Sequence, residues 1–153
     1  MKKIMIVDDN YLSAEGIEKN IDWETLNAEI IHVCYNGTSA IEAMKKEPAD
    51  LIISDIEMPD LDGISMSRQA LEINPMVKII LISAYDKFEY ARRALLLGAL
   101  DYIEKPLDYA YLIQKVKNAF ALMEKEQKNL QLLKQSRPLL TEKFSRDHTP
   151  SVF

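Results

Sequence analysis

Short apolar runs that end abruptly in polar or charged residues constrain this chain more than any other feature. In Leu51-Ile52-Ile53-Ser54-Asp55 three branched apolar side chains run straight into a carboxylate, and the turn formers Pro59, Asp60, Asp62 and Gly63 follow. A run of this length bounded by turn residues predicts a buried strand that delivers Asp55 to its carboxyl end. Residues 3–7 repeat the pattern and end in Asp8-Asp9-Asn10. Ile30 to Cys34 forms a second run, Val77 to Ile82 a fourth that ends in Ser83-Ala84, and Tyr102 to Glu104 a fifth that ends in Lys105-Pro106. Between them the spacing predicts helices: from Ser13 to Asn20, from a Thr38 or Ser39 cap to Glu47, from Gly63 to before Pro75, and from Phe88 to Leu97 with Gly98 as its cap. A last helix starts near Asp108 and meets no stop before Arg137-Pro138, and Thr141 to Phe153 reads as irregular. Five continuously apolar strands alternating with five helices predict an α/β fold. Its sheet is parallel and doubly wound, covered on both faces and closed by right-handed crossovers.

All carboxyl ends of a parallel sheet lie on one edge, where open α/β sheets bind ligands. That edge here receives Asp8 and Asp9 from the first strand, Asp55 from the third, Ser83 from the fourth and Lys105 from the fifth. Singly, these are ordinary turn residues, a small hydroxyl and a lysine before a proline. Together at matching strand ends they form a constellation. Three carboxylates in one crevice repel one another unless a cation neutralises them, and an oxygen-only donor set favours a hard ion such as Mg²⁺. Lys105 can meet a phosphoryl oxygen as a point charge and Ser83 can donate a hydrogen bond to another. A carboxylate nucleophile, a metal site and two donors are the equipment for phosphoryl transfer to an aspartate.

The net charge of −5 disfavours a binder of phosphate backbones, which needs a basic footprint. With Cys34 alone no internal disulfide can form, and no apolar stretch reaches the length of a membrane span, so a cytoplasmic protein is expected. His32 and His148 have no ligand companions nearby, Cys34 reads as a small buried side chain, and Trp23 as a packing anchor.

Val7-Asp8-Asp9, Asp55 with Met58-Pro59 and Asp62-Gly63, Ser83-Ala84, Gly98-Ala99, Asp101-Tyr102 and Lys105-Pro106 resemble the receiver domain of two-component response regulators. The resemblance covers residues 1–124 and implies a flavodoxin-like sheet of order 2-1-3-4-5. It implies Asp55 as phosphoacceptor for a sensor histidine kinase, with the receiver's own residues catalysing the transfer. Mg²⁺ would be held by Asp9, Asp55 and the Glu57 backbone carbonyl, with Asp8 acting through water. Ser83, Tyr102 and Lys105 would be switch and phosphate-contact residues, Glu57 and Tyr85 would tune dephosphorylation, and the Lys105–Pro106 bond would be cis. The alternative of an aspartate-nucleophile phosphatase of the haloacid dehalogenase type needs a second Asp two residues after the nucleophile, where Glu57 stands.

Asp22-Trp23-Glu24, Ser83 to Ala91 and Leu133 to Phe144 resemble the YesN type, which joins a receiver to an AraC-type DNA-binding domain. Residues 125–153 are expected to be an extended helix and a linker or tail toward an output domain missing from this chain. DNA would be contacted through that output domain alone, in control of transcription. A stand-alone receiver acting through protein–protein contacts is the other reading. Leu112, Val116, Ala119, Met123, Leu130 and Leu133 fall at alternating three- and four-residue steps once Glu126 is counted, a heptad-like seam that predicts a homodimer through the C-terminal helix.

Overall fold

The computed structural model describes residues 1–84, 88–98 and 101–147, and among these Phe88, Tyr90, Ala91, Ala94, Leu97 and residues 136–147 by backbone alone. The apolar runs are strands: β1 (Lys2–Val7), β2 (Ala28–Cys34), β3 (Leu51–Asp55), β4 (Lys78–Ala84) and β5 (Asp101–Lys105). They alternate with α1 (Tyr11–Asn20), α2 (Gly37–Lys46), α3 (Gly63–Ile73), α4 (Phe88–Leu97) and α5 (Tyr109–Asp147). The strands form one parallel sheet in the order β2-β1-β3-β4-β5, as expected.

Every residue of β3 is buried, which is why its sequence is apolar throughout rather than alternating. Its side chains still go to alternate faces. Met5, Val7 and Ile52 join a cluster with Ala40, Ile41 and Met44 of α2 and Ile64, Met66 and Ala70 of α3. Ile4, Ile6, Leu51 and Ile53, equally buried, stand outside that cluster, as do Ala14 and Ile17 of α1 and Leu112 and Val116 of α5. Each isoleucine withdrawn from water contributes about 1.5–3 kcal/mol. Strands this apolar therefore outweigh the cost of holding carboxylates at their ends.

Two compact units are distinguished. Met1–Ala119 contains the sheet, α1 to α4 and the first turns of α5, and the second unit begins at Phe120. In the second, the described side chains from Lys128 to Gln135 are exposed, Leu130, Leu132 and Leu133 among them.

Three expectations are corrected. Helix α2 is capped by Asn36, not Thr38 or Ser39: Asn36 is extended and its side chain accepts the Ser39 N–H at 2.8 Å, so the chain is helical from Gly37. Helix α1 starts at Tyr11 because Asn10 caps it through the N–H groups of Leu12 and Ser13. Helix α5 continues through Pro138 to Asp147, where a stop and then irregular chain were expected. Proline removes one intrahelical bond, and the Leu, Lys, Gln and Glu residues around it are strong helix formers.

Candidate functional site

Register brings the chemistry to one edge. Val7 is level with Ser54, so the next residues, Asp8 and Asp55, stand side by side. Asp55 is level with Ile82, so Ser83 is one step beyond it, and Ala84 is level with Lys105. Each position is then fixed locally. Asp8 Oδ1 accepts the Asn10 N–H at 2.9 Å, which ties the carboxylate to the start of α1. The Asp55 carbonyl accepts the Ser54 hydroxyl at 2.8 Å. The chain after it is held by Ile56 N–H to the Ile82 carbonyl at 3.1 Å and by Gly63 N–H to the Ile56 carbonyl at 2.7 Å. Gly63 lies so close that a Cβ there would stand 2.2 Å from the Asp55 carbonyl oxygen. The Lys105–Pro106 peptide bond is cis.

Oxygens of Asp8, Asp9 and Asp55 lie within 4.8 Å of one another, with Asp9 exposed and the other two buried. Lys105 Nζ is 3.4 Å from Asp55 Oδ2 and 3.7 Å from Asp8 Oδ2. An open pocket of about 440 Å³ is lined by Asp9, Asn10, Asp55, Glu57, Ser83, Ala84 and Lys105. Burial, and then the neighbouring Asp8 charge, push the Asp55 carboxyl up to about 6 against the pull of Lys105. Burial also raises Asp8, opposed by the Asn10 N–H and by Lys105. Two carboxylates held against their preferred ionisation beside a third form an all-oxygen donor set whose negative charge Lys105 alone offsets only in part, which fits a hard divalent cation. Ser83 adds a separate sign: its Oγ is buried and has no hydrogen-bond partner among the described residues. A buried hydroxyl without a partner costs about 1–3 kcal/mol, so this position suits an incoming acceptor oxygen.

Asp8, Asp9, Asp55, Ser83 and Lys105 are therefore brought together, and Glu57 lines the same pocket with its side chain exposed. Tyr102 is placed apart. Its ring packs partly buried against the core, its hydroxyl donates to the Ala84 carbonyl at 3.3 Å, and it lines a different pocket with Glu104, Pro106 and Tyr111. Tyr85 lies outside the described residues. His32 Nε2 is 2.9 Å from the Glu47 carbonyl, and Cys34 is buried, with its thiol pushed up to about 11 by that burial.

Asp60 gave no functional signal in the sequence, because it reads as one turn former among several. Its two carboxylate oxygens accept the N–H groups of Gly37 and Thr38 at 3.3 and 3.2 Å, at the start of α2. Hydrogen bonding, led by the Thr38 side chain, holds its carboxyl down at about 2.

Residues 4–117 match the family model described as the response regulator receiver domain. Over 126 residues the chain is 29% identical to the transcriptional regulatory protein YesN of Bacillus subtilis, covering 82% of this chain and 34% of that protein. The chain spans less than half the length of the curated relatives it matches. Among solved structures, the REC domain of AraT, a response regulator from Geobacillus stearothermophilus, superposes with a TM-score of 0.78 at 34% identity, over 82% of this chain and 98% of that one. The CheX–CheY–BeF₃–Mg²⁺ complex from Borrelia burgdorferi matches with a TM-score of 0.68 at 29% identity, over 78% of this chain and 89% of that one.

Proposed function

The chain belongs to the response regulator receiver domain family, and from that premise we propose that Asp55 accepts a phosphoryl group from a sensor histidine kinase. The observation that carries the reading is the convergence of the Asp9 and Asp55 carboxylates, the Lys105 ammonium and the buried Ser83 hydroxyl on one pocket, with the Asp8 carboxylate within 4.8 Å of the other two. In the transfer an Asp55 oxygen attacks phosphorus in line with the leaving group. The new O–P bond forms as the P–N bond to the donor imidazole breaks, and the imidazole keeps that electron pair and takes a proton. Asp55 performs this as a carboxylate, so a cation beside it that favours its ionised form also favours its nucleophilic form. Asp9, Asp55 and the Glu57 backbone carbonyl would hold Mg²⁺, with Asp8 acting through water, and the ion would neutralise charge on the phosphoryl oxygens. The ammonium of Lys105 meets a second phosphoryl oxygen and the Ser83 hydroxyl gains the acceptor it lacks.

Conformational output follows from the same contacts. A Ser83 hydroxyl drawn to the phosphoryl group moves its neighbour Ala84, whose carbonyl holds the Tyr102 hydroxyl. Phosphorylation thereby biases an existing equilibrium of the Tyr102 ring, which is the switch. By the resemblance to the family, Glu57 and Tyr85 would tune the lifetime of the phosphorylated state. The similarity to transcriptional regulators supports transcription as the output, through a DNA-binding domain beyond this chain. Among the described residues no helix is long and apolar enough to cross a membrane. Incubation with Mg²⁺ and a small phosphodonor, followed by intact mass and by mapping of the modified residue, tests the assignment. One phosphoryl group on Asp55 is expected, and an adduct elsewhere or none overturns it.

A further inference from the structure

The loop from Ile56 to Asp62 carries the proposed Glu57 ligand and is pinned at both ends by the Ile56 and Gly63 hydrogen bonds. Its middle is held against another element. Asp60 takes the Gly37 and Thr38 N–H groups at the start of α2. A Cβ on Gly37 would stand 2.3 Å from the Leu61 carbonyl oxygen and 2.7 Å from the Leu61 side chain, so helix and loop meet there without space for a methyl group. Asn36 already caps α2 through the Ser39 N–H, and Asp60 occupies donors that this cap leaves over. The residue before Asp60 faces the acidic side: Pro59 lines a pocket with Asp9, Glu57 and Asp62. Asp60 instead turns its charge to the positive end of a helix, where an anion is stabilised.

We propose that Asp60 is a positioning residue whose carboxylate latches this loop onto α2 and so sets the backbone at Glu57 for the divalent cation. The inference rests on the metal reading above and adds to it a mechanical link from the cation to the β2–α2 turn. Mg²⁺ held at Glu57 pulls on a loop whose middle is attached to α2. The Gly37 and Thr38 amides therefore sense the ion although neither residue is a ligand.

Mg²⁺ titration of the whole chain, followed by backbone amide resonances, tests this without any phosphodonor. In the wild type the Gly37 and Thr38 amides are expected to shift with the same midpoint as those of Asp9 and Glu57. Asp60→Ala is expected to bind Mg²⁺ more weakly, by at most roughly tenfold, the limit reached if the whole worth of an ordinary cap goes into holding the loop for the ion. Asp60→Asn keeps a neutral acceptor and should lose less. Gly37→Ala pushes the loop off from the other side with no change of charge and should also weaken binding. If Asp60→Ala binds Mg²⁺ like the wild type, or if the Asp60 variants weaken while Gly37→Ala does not, the latch is overturned, the second result assigning the effect to charge alone. A wild type that does not bind Mg²⁺ at all overturns the metal reading and the latch together.

Discussion

Asp55 is a carboxylate that its own surroundings discourage from ionising, and this has two measurable consequences. Asp55→Asn is expected to take no phosphoryl group from a small donor, since an amide is not a competent acceptor. Intact mass reads this directly, and a full adduct on the variant would reject the site. The second consequence concerns pH in metal-free protein. An unperturbed aspartate titrates near 3.9, whereas Asp55 in the fold is pushed up to about 6. The folded state therefore holds the proton more tightly than the unfolded chain. The associated stability is fully present below about pH 4, is lost as pH rises through about 6, and leaves a buried charge above it. Metal-free Asp55→Asn should then be more stable than the parent at pH 7–8, by up to something on the order of 3 kcal/mol, with the difference vanishing near pH 4. Urea melts across that range check the sign. The acid cluster was legible in the sequence because apolar runs ending in Asp8, Asp55 and Lys105 say which ends of which strands meet. Asp60 was not, because nothing local separates a carboxylate that caps its own turn from one that reaches a helix 22 residues away.

At the scale of elements, the turn out of β3 is the tightest place in the site. Gly63→Ala would put a methyl group 2.2 Å from the Asp55 carbonyl oxygen and 2.9 Å from the Ile56 Cα, both backbone atoms that no rotamer change can move aside. A loss of about 1–3 kcal/mol is expected, together with slower labelling of Asp55, whose own backbone must shift. Gly98→Ala is the contrast. Gly98 has φ +111° and nothing within 4 Å of an added Cβ, so the cost is local backbone strain of about 1–2 kcal/mol and the labelling rate should be unchanged. Denaturation midpoints and phosphodonor time courses on the same two variants separate the effects. Strand identity and helix count were legible from apolar runs and spacing. Helix starts were less so: Asn10 and Asn36 lie in turns where several residues have capping side chains, and tertiary geometry decides which is extended. The passage of α5 through Pro138 was hidden for a related reason, since one missing N–H is weighed against the propensity of a whole segment.

On the scale of the whole molecule, the C-terminal part of α5 is expected to pair with a second copy. Leu130 and Leu133 are 46% and 60% exposed and continue the seam begun at Leu112, and an isolated helix is marginal without tertiary contacts. Light scattering over a concentration series should show dimers that Leu130→Glu abolishes while labelling of Asp55 persists. A strict monomer at high concentration would refute the pairing. The strand order also divides the site by compliance. Asp55 is carried by β3, hydrogen-bonded to β1 on one side and β4 on the other, whereas Lys105 and Tyr102 ride β5, which among the described residues pairs with β4 alone. The pocket is thus expected to behave as a vice with one jaw bolted down and one on a spring, Asp55 on the fixed jaw and Lys105 on the yielding one, with Tyr102 on the same edge strand but outside the pocket. Amide hydrogen exchange should follow that order, with β5 opening at lower free energy than β3, so the strand that carries Lys105 is expected to be the first to yield.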